Sequence, residues 1–258
     1  MNNLLKGKKG IIFGALNENS IAWKAAERIK EEGGEIILTN SKAGIRIGDI
    51  NLLAKKCKSE VIPADITSVD EIERLFDESK KKIGNIDFIL HSVAMSRNIR
   101  KNKPYNNLNY KWFMETIDTS ALSFHKIIHI AEKKNMINKW GSILSISYIG
   151  SKRNFPEYSD MSQAKAMLES IARSYGYILG KSKKIRVNTI SQSPTITAST
   201  SKIDKFKKLY EYSDKISPLG NANTLDCANY IVFMFSDLSR MITMQNLIHD
   251  GGFSYCGM

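Results

Sequence analysis

The stretch GSILSISYIGSKRNFPEYSDMSQAKAMLES, Gly141 to Ser170, decides how the rest of the chain is read. Ile143 to Ile146 is a short apolar run of the kind that forms a buried strand. A loop marked by Gly150 and Pro156 follows, and from about Ser159 a helical pattern takes over, with Met161, Ala164, Met167, Leu168 and Ile171 on one face. Tyr158 then stands at the helix entrance, and Lys165, seven positions later, lies close to two full turns away. Both side chains fall on one face. A phenol beside a lysine ammonium is expected to act as an acid toward a developing oxyanion, because the nearby positive charge favours the phenolate. Tyr148 and Lys152 form a second tyrosine and lysine pair, but a helix carrying them would have to start directly at a strand end and pass Gly150 and Pro156.

Composition limits the function classes. With 258 residues, 42% of them hydrophobic, the chain can bury a sizeable core, and no Pro- or Ser-rich linker divides it, so one α/β domain over residues 1–258 is expected. Cys57, Cys227 and Cys256 are odd in number and far apart, without metal-ligand spacing. A reduced, cytoplasmic setting and no metal are expected from them. The apolar run from Gly10 to Leu16 is too short for a signal segment or a membrane span, so a soluble, unprocessed protein is expected. The net charge of +12 is spread over lysines such as Lys80, Lys81 and Lys82, without the clustering and interleaved aromatics of a nucleic-acid surface.

In order, the chain alternates. Strands are predicted over Lys9–Phe13, Glu35–Thr39, Glu60–Pro63, Ile86–Leu90, Gly141–Ile146, Ile185–Ile190 and near Leu247 and Ile248. Helices are predicted over Ser20–Glu32, Leu52–Cys57, Ser68–Lys82 with a Ser68/Glu71 capping box, and Asn107–Lys134 as one long amphipathic element. Apolar strands separated by helices predict a doubly wound, Rossmann-like parallel sheet of about seven strands, covered on both faces, with ligands beyond the carboxyl ends of the strands.

Those strand ends hold suggestive residues. The turn Gly14 to Ala22 lacks the three-glycine dinucleotide fingerprint, yet Gly14 permits a tight turn, Ser20 is placed to cap the helix and offer a hydroxyl to phosphate, and small Ala22 lets the helix approach the sheet. Asp65-Ile66 follows the third strand and suits an adenine amino group and ring face. His91, before Ser92-Val93-Ala94, receives no functional role.

Together with Ser147-Tyr148, Tyr158, Lys165, Pro194 and the closing His249-Asp250-Gly251-Gly252-Phe253, these motifs resemble the bacterial enoyl-acyl-carrier-protein reductases, a divergent branch of the short-chain dehydrogenases and reductases. The likeness runs in order over nearly the whole chain. The six-residue gap between tyrosine and lysine, joined with the Ser-Ile-Ala turn, sets it apart from the ketoacyl reductases, which would show a three-residue gap.

What the resemblance implies is a catalytic set of Tyr148, Tyr158 and Lys165. Gly14, Ser20 and Ile21 would meet the pyrophosphate and ribose, Asp65 and Ile66 the adenine, and Ser92, Val93 and Ala94 the middle of the cofactor. Lys165 would bind the nicotinamide ribose, and the backbone of Thr195, Ile196 and Thr197 the carboxamide and phosphates. Ser96, Met161, Ile203 and Phe206 would join Tyr148 and Tyr158 around the substrate, an enoyl group delivered by an acyl carrier protein. The cofactor is expected to be NADH by family tendency, although Thr39-Asn40-Ser41 supplies no carboxylate for a ribose 2′-hydroxyl, and Lys42 and Arg46 would suit the 2′-phosphate of NADPH. Departures are Gln192-Ser193-Pro194 where the family commonly has Ala-Gly-Pro, and Ala94 where glycine is frequent.

A lid is expected over residues 195–215. Its apolar face would hold Ile203, Phe206 and Leu209, and its opposite side Lys205, Lys207 and Lys208, facing an acidic carrier. A homotetramer is expected by family habit, through the helices bearing Phe113, Ile117, Leu122, Phe124, Met167, Ile171 and Tyr175 and through Leu247 to Met258. Two other readings stand beside this one: a reductase of another carbonyl or enoyl substrate, and a dinucleotide sensor without turnover, against which the retention of Tyr148, Tyr158 and Lys165 speaks.

Overall fold

A computed structural model of the chain describes residues 3–197, 200 and 206–256. Three strands with the helices between them lead outward on one side of a sheet: β1 (Lys9–Phe13), α1 (Ile21–Glu31), β2 (Glu35–Thr39), α2 (Lys42–Ile47), α3 (Ile50–Cys57) and β3 (Glu60–Val61). The chain then returns through α4 (Val69–Ile83) to the other side of β1 and builds β4 (Ile86–His91), α5 (Arg97–Arg100), α6 (Tyr110–Ile117), α7 (Ser123–Lys133), β5 (Ile137–Ser147), α8 (Met161–Lys183) and β6 (Arg186–Gln192). The last elements are α9 (Phe206–Ile216), α10 (Thr224–Phe235) and β7 (Asn246–His249). All seven strands pair in parallel, in the order β3-β2-β1-β4-β5-β6-β7. The order reverses between β1 and β4, and the crevice beyond that reversal is where such sheets bind ligands.

The period of two along each strand sends alternate side chains to opposite faces, so a sheet covered twice needs apolar residues at every position. Ile11, Ile37, Ile89 and Ile143 pack with Phe76 of α4, Phe124 of α7 and Leu168 of α8. Their neighbours Ile12, Leu38, Leu90 and Leu144 pack on the other side with Ala26 of α1, Leu53 of α3 and Ile231 of α10. Gly10 is fixed by this packing, since a Cβ there would lie 2.1 Å from the Phe88 ring.

The structure departs from the sequence reading in five places. The helix expected over Asn107–Lys134 is two helices joined by a π-helical turn, Asp118–Leu122, where Ser120 leaves the helical pattern of contacts and exchanges hydrogen bonds with Met95. Only Ser68 completes its half of the expected capping box: its Oγ accepts from the Glu71 N–H, whereas the Glu71 carboxylate accepts from Asp65 N at 2.8 Å. The fifth strand starts earlier, at Ile137, and the third is only two residues long. Helix α10, absent from the sequence reading, opens with a complete Asn223/Asp226 capping box, a signal present in the sequence and passed over.

Arg186, at the start of β6, is buried in the core. Its Nη1 donates to the Met234 and Ser239 carbonyls at 2.9 and 3.0 Å, and Nη2 to Ser236 O at 3.2 Å, so it satisfies carbonyls left open where α10 ends. Among the described residues no helix is long and apolar enough to cross a membrane.

Candidate active site

The carboxyl ends of β1, β4, β5 and β6 open into a cavity of about 550 Å³. Its near end is the turn after β1. Gly14 has φ +97°, and a Cβ on it would stand 2.2 Å from the Ser92 carbonyl, so only glycine lets the β1 turn close against the end of β4. Ser20 does not cap α1 as expected. Its Oγ accepts from Leu16 N and Asn17 N at 3.1 and 3.0 Å and donates to Asn17 O at 2.6 Å, so the hydroxyl is used in shaping the loop. Ile21, Ser92, Val93 and Ala94 complete this end.

The far wall comes from β5 and the segment that follows. Tyr148 leaves β5, a 3₁₀ turn spans Ile149–Ser151, and a second spans Pro156–Tyr158, so no helix carries Tyr148 and Lys152 as a pair. The Tyr148 and Tyr158 rings meet edge to face with centroids 4.9 Å apart. Gly150 makes this possible, because a Cβ there would lie 2.6 Å from the Tyr158 ring and 3.0 Å from that of Tyr148. Ser159 follows with φ +49° and ψ −135°, outside the basins that a non-glycine residue ordinarily occupies, at a typical cost of about 1–3 kcal/mol. Lys165, on the second turn of α8, is buried and donates to Ile146 O at 2.7 Å.

The electrostatics correct one expectation. Burial pushes the Tyr158 phenol well above its ordinary value, with Tyr148 and Glu169 acting in the same direction, so the ammonium of Lys165 is not what sets it. Burial likewise pushes the Tyr148 phenol up. Both tyrosines are therefore neutral donors near neutral pH. Burial lowers Lys165 to about 8, against the attraction of Glu169. Its ammonium has two N–H bonds beyond the one given to Ile146 O. The Tyr148 hydroxyl is buried with no partner among the described residues, a condition that typically costs about 1–3 kcal/mol and that a ligand carbonyl would relieve.

The cavity thus gathers Gly14, Ser20, Ile21, Ser92, Val93, Ala94, Tyr148, Tyr158, Lys165, Thr195, Thr197 and Phe206 of the expected residues. Others lie elsewhere. Asp65 is exposed beyond β3, where its carboxylate accepts from Thr67 N and Oγ1, and Ile66 is packed in the core. The Ile196 side chain is exposed and does not line the cavity, while its backbone, the part expected to meet the cofactor, runs between the lining residues Thr195 and Thr197. Met161, the first residue of α8, is buried in the core, and Ser96 is buried with its hydroxyl spent on Asp160, so neither of these expected substrate contacts lines the cavity. Ile203 and Lys205 fall outside the described residues. His91, given no role, bridges Ser145 and Ser123 in the core, and burial lowers it to about 3, which keeps it uncharged.

Several wall residues escaped the sequence reading. Phe155 reaches the cavity from a loop and Ile99 from the four-residue helix α5, which is too short to show a period, so no pattern announced them. Tyr212 stands six positions beyond Phe206 in α9, where extending the helical spacing would have found it. Lys208, expected on the outer side of the lid, sits at the cavity edge, while Lys207 faces outward toward Glu211 at 3.8 Å. Gln192 is buried at the wall. Its Oε1 accepts from the Cys227 thiol and lies 2.8 Å from His249 Nδ1, contacts that alanine could not make.

A family model described as Enoyl-(Acyl carrier protein) reductase matches residues 14–254. The chain is 33% identical over 258 residues to the NADH enoyl-acyl-carrier-protein reductase FabI of Bacillus subtilis, covering 98% of each. It is 32% identical over 257 residues to the NADH enoyl-acyl-carrier-protein reductase 1 of Rhizobium meliloti, covering 99% of this chain and 93% of that protein. Among solved structures, the FabI–NADH complex of Alistipes finegoldii superposes with a TM-score of 0.98 at 55% identity, covering 99% of this chain and 91% of the other.

Proposed function

The chain belongs to the enoyl-acyl-carrier-protein reductase family, and from that premise we propose how its own residues carry out the reduction of a trans-2-enoyl thioester with NADH. The observation that carries the reading is the meeting, in one cavity, of two neutral phenols, a buried lysine and the glycine-closed turn at the strand reversal. The cavity fits a dinucleotide: Gly14 leaves a cradle that any Cβ would fill, Lys165 has free donors at mid-cavity, and the orphaned Tyr148 hydroxyl awaits an acceptor.

Gly14 and Ile21 would hold the pyrophosphate end, Val93 and Ala94 the middle, Lys165 the nicotinamide ribose, and Thr195 and Thr197 the carboxamide side. NADH, when bound, supplies hydride to the β-carbon of the enoyl group. Tyr158 donates to the thioester carbonyl, whose oxygen gains charge as the enolate forms, and Tyr148 lines the same place. A neutral phenol is the right species for that task, because it meets a developing anion with a proton already in position. One such donor is typically worth roughly 3 to 4 kcal/mol, and holding the two reactants in register can supply about 7 or more.

Phe206, Leu209 and Tyr212 offer an apolar wall to the acyl tail, which supports reading residues 195–215 as a lid, while the carrier protein would approach past Lys207. We place the enzyme in the cytoplasm as a homotetramer. The helices expected at its interfaces contribute differently from expectation: Phe124, Ile171 and Tyr175 are core, and the exposed apolar residues are Tyr110 and Met114 of α6 and Tyr177 and Ile178 of α8. Light scattering at micromolar concentration should give four times the 29.1 kDa chain mass, and a monomer mass would refute the tetramer.

The test of function is oxidation of NADH or NADPH in the presence of a crotonyl thioester. Enoyl-dependent consumption of NADH, faster than that of NADPH, is the expected result. Turnover with ketones but none with the enoyl thioester would favour a different reductase, and nucleotide binding without any turnover would favour the sensor.

A further inference from the structure

Asp160 is fully buried two residues after Tyr158, at the N-cap of α8. An aspartate at that position ordinarily turns its carboxylate onto the first free N–H groups of its own helix. This one makes no capping bond. Its oxygens instead reach away from α8 and accept from three other parts of the chain. Ser96 Oγ donates to Oδ1 at 2.6 Å, and Asn98 Nδ2 donates to Oδ2 at 2.7 Å. The Thr116 hydroxyl, shared with the Trp112 carbonyl, lies 3.0 Å from Oδ2.

These donors are themselves fixed. Ser96 Oγ accepts from Ile99 N at 3.0 Å, and the Asn98 amide exchanges two hydrogen bonds with the backbone of Asn109. Ser96, Asn98 and Thr116 are all buried. The carboxylate therefore ties together the loop after β4 with α5, the last turn of α6 and the turn that carries Tyr158. That loop includes Val93 and Ala94, which line the same cavity as the phenols. Between Tyr158 and Asp160 stands Ser159, the residue with the unfavourable φ of +49° and ψ of −135°. A backbone in that conformation persists only where its surroundings hold it.

We propose that Asp160 is a positioning residue for the reduction: through Ser96, Asn98 and Thr116 it fixes the separation between the Val93–Ala94 wall and the Tyr158 phenol, and keeps Ser159 in the conformation that aims the hydroxyl. This rests on Tyr158 being the proton donor to the thioester carbonyl. Releasing the carboxylate lets Ser159 relax and shifts the phenol by a fraction of an ångström to an ångström, a displacement on the scale that can cost about a hundredfold in rate.

The experiment is a double-mutant cycle between Asp160→Asn and Tyr158→Phe, with kcat for a crotonyl thioester and Kd for NADH measured on each. Asparagine keeps the size but brings an NH₂ group against the Asn98 NH₂. Asp160→Asn alone should lower kcat by roughly ten- to a hundredfold with the Kd for NADH within about twofold of the parent. In the Tyr158→Phe background it should lower kcat no further, because there is no phenol left to aim. A multiplicative loss in the double variant would show a general weakening of the fold and overturn the proposal while leaving Tyr158 as donor. An unchanged kcat in Tyr158→Phe alone would overturn the donor assignment and the positioning role together. If Asp160→Asn does not fold, Thr116→Val, which removes one donor and keeps the shape, enters the same cycle, with a severalfold loss expected alone and none added beside Tyr158→Phe.

Discussion

The two sides of the cavity are built by different kinds of contact. On the β5 and α8 side, Lys165 reaches back to Ile146, Ser147 donates to Glu169 at 2.7 Å, and Asn246 donates to the same carboxylate at 2.9 Å from the far end of the chain. On the covering side, Thr200 bonds within its own turn to Thr195 and Thr197, and Ser213 bonds to Tyr210 within α9, while the far end of α9 is tied to the C-terminal segment through Cys256 Sγ to Ile216 O and Leu219 N to Gly251 O. Bonds between distant segments persist until the fold itself opens, whereas bonds between neighbours travel with the segment that contains them. The first side is preorganised for chemistry, and the second can shift as a unit over different acyl chains.

The contrast predicts that damage to the two sides fails differently. Tyr158→Phe should have the largest effect, lowering kcat by about 100- to 1000-fold with the affinity for NADH unchanged, read by steady-state kinetics and fluorescence titration. A similar loss from Phe206→Ala would erase the distinction between the sides.

Lys165→Ala should act on the cofactor instead, raising the Kd for NADH more than it lowers kcat. The same lysine gives the native protein a pH signature. Its folded value is lowered from 10.5 to about 8, so the unfolded chain holds the proton more strongly than the folded one. Stability from this group is lost as pH falls through about 8 and fully present above 10.5, a swing of roughly 3 kcal/mol. Chemical unfolding between pH 7.5 and 9.5 should show a gain in stability in the free protein that Lys165→Met lacks. NADH affinity should run the other way, weakening as pH rises past 8 and the ammonium is lost. An affinity that stays flat across that window would remove Lys165 from the ribose contact.

The covering side should give the smallest effects. Phe206→Ala should raise the KM for a long-chain enoyl thioester roughly tenfold and leave crotonyl turnover within twofold. Lys207→Glu should raise the KM only for the enoyl carrier protein, severalfold and less so at high salt. Equal losses on carrier-bound and free thioesters would assign Lys207 to the lid itself.

The sheet was legible because buried parallel strands must be apolar at every position, and Ile11-Ile12, Ile37-Leu38, Ile89-Leu90 and Ile143-Leu144 state that in sequence. Tyr158, Lys165 and Gly14 were legible through spacing and resemblance. Contacts made in three dimensions were not. The Asp160 cluster joins residues up to 64 positions apart, and the fit of Gly150 between two tyrosine rings has no periodicity to reveal it. The break at Asp118–Leu122 was hidden because Phe113, Ile117, Ala121, Phe124 and Ile128 keep a three- or four-residue spacing across it, which reads as one continuous helix.

Arg186 has a bearing on what happens if the backbone is severed. Its guanidinium joins the start of β6 to the end of α10, and the second half of β6 pairs with β7 from Thr189–Asn246 to Gln192–His249. The covering segment leaves from the end of β6 and returns at the start of α10, and these two roots are joined directly, Cys227 Sγ donating to Gln192 Oε1 and Ala222 N to Ser193 Oγ. Trypsin acting at the exposed Lys207 would therefore yield two fragments that remain associated as a nicked, folded particle. Its substrate cover would be cut but still rooted at both ends while the wall bearing Lys165 stayed whole, and the site would still retain dinucleotide after its grip on the acyl chain had been weakened.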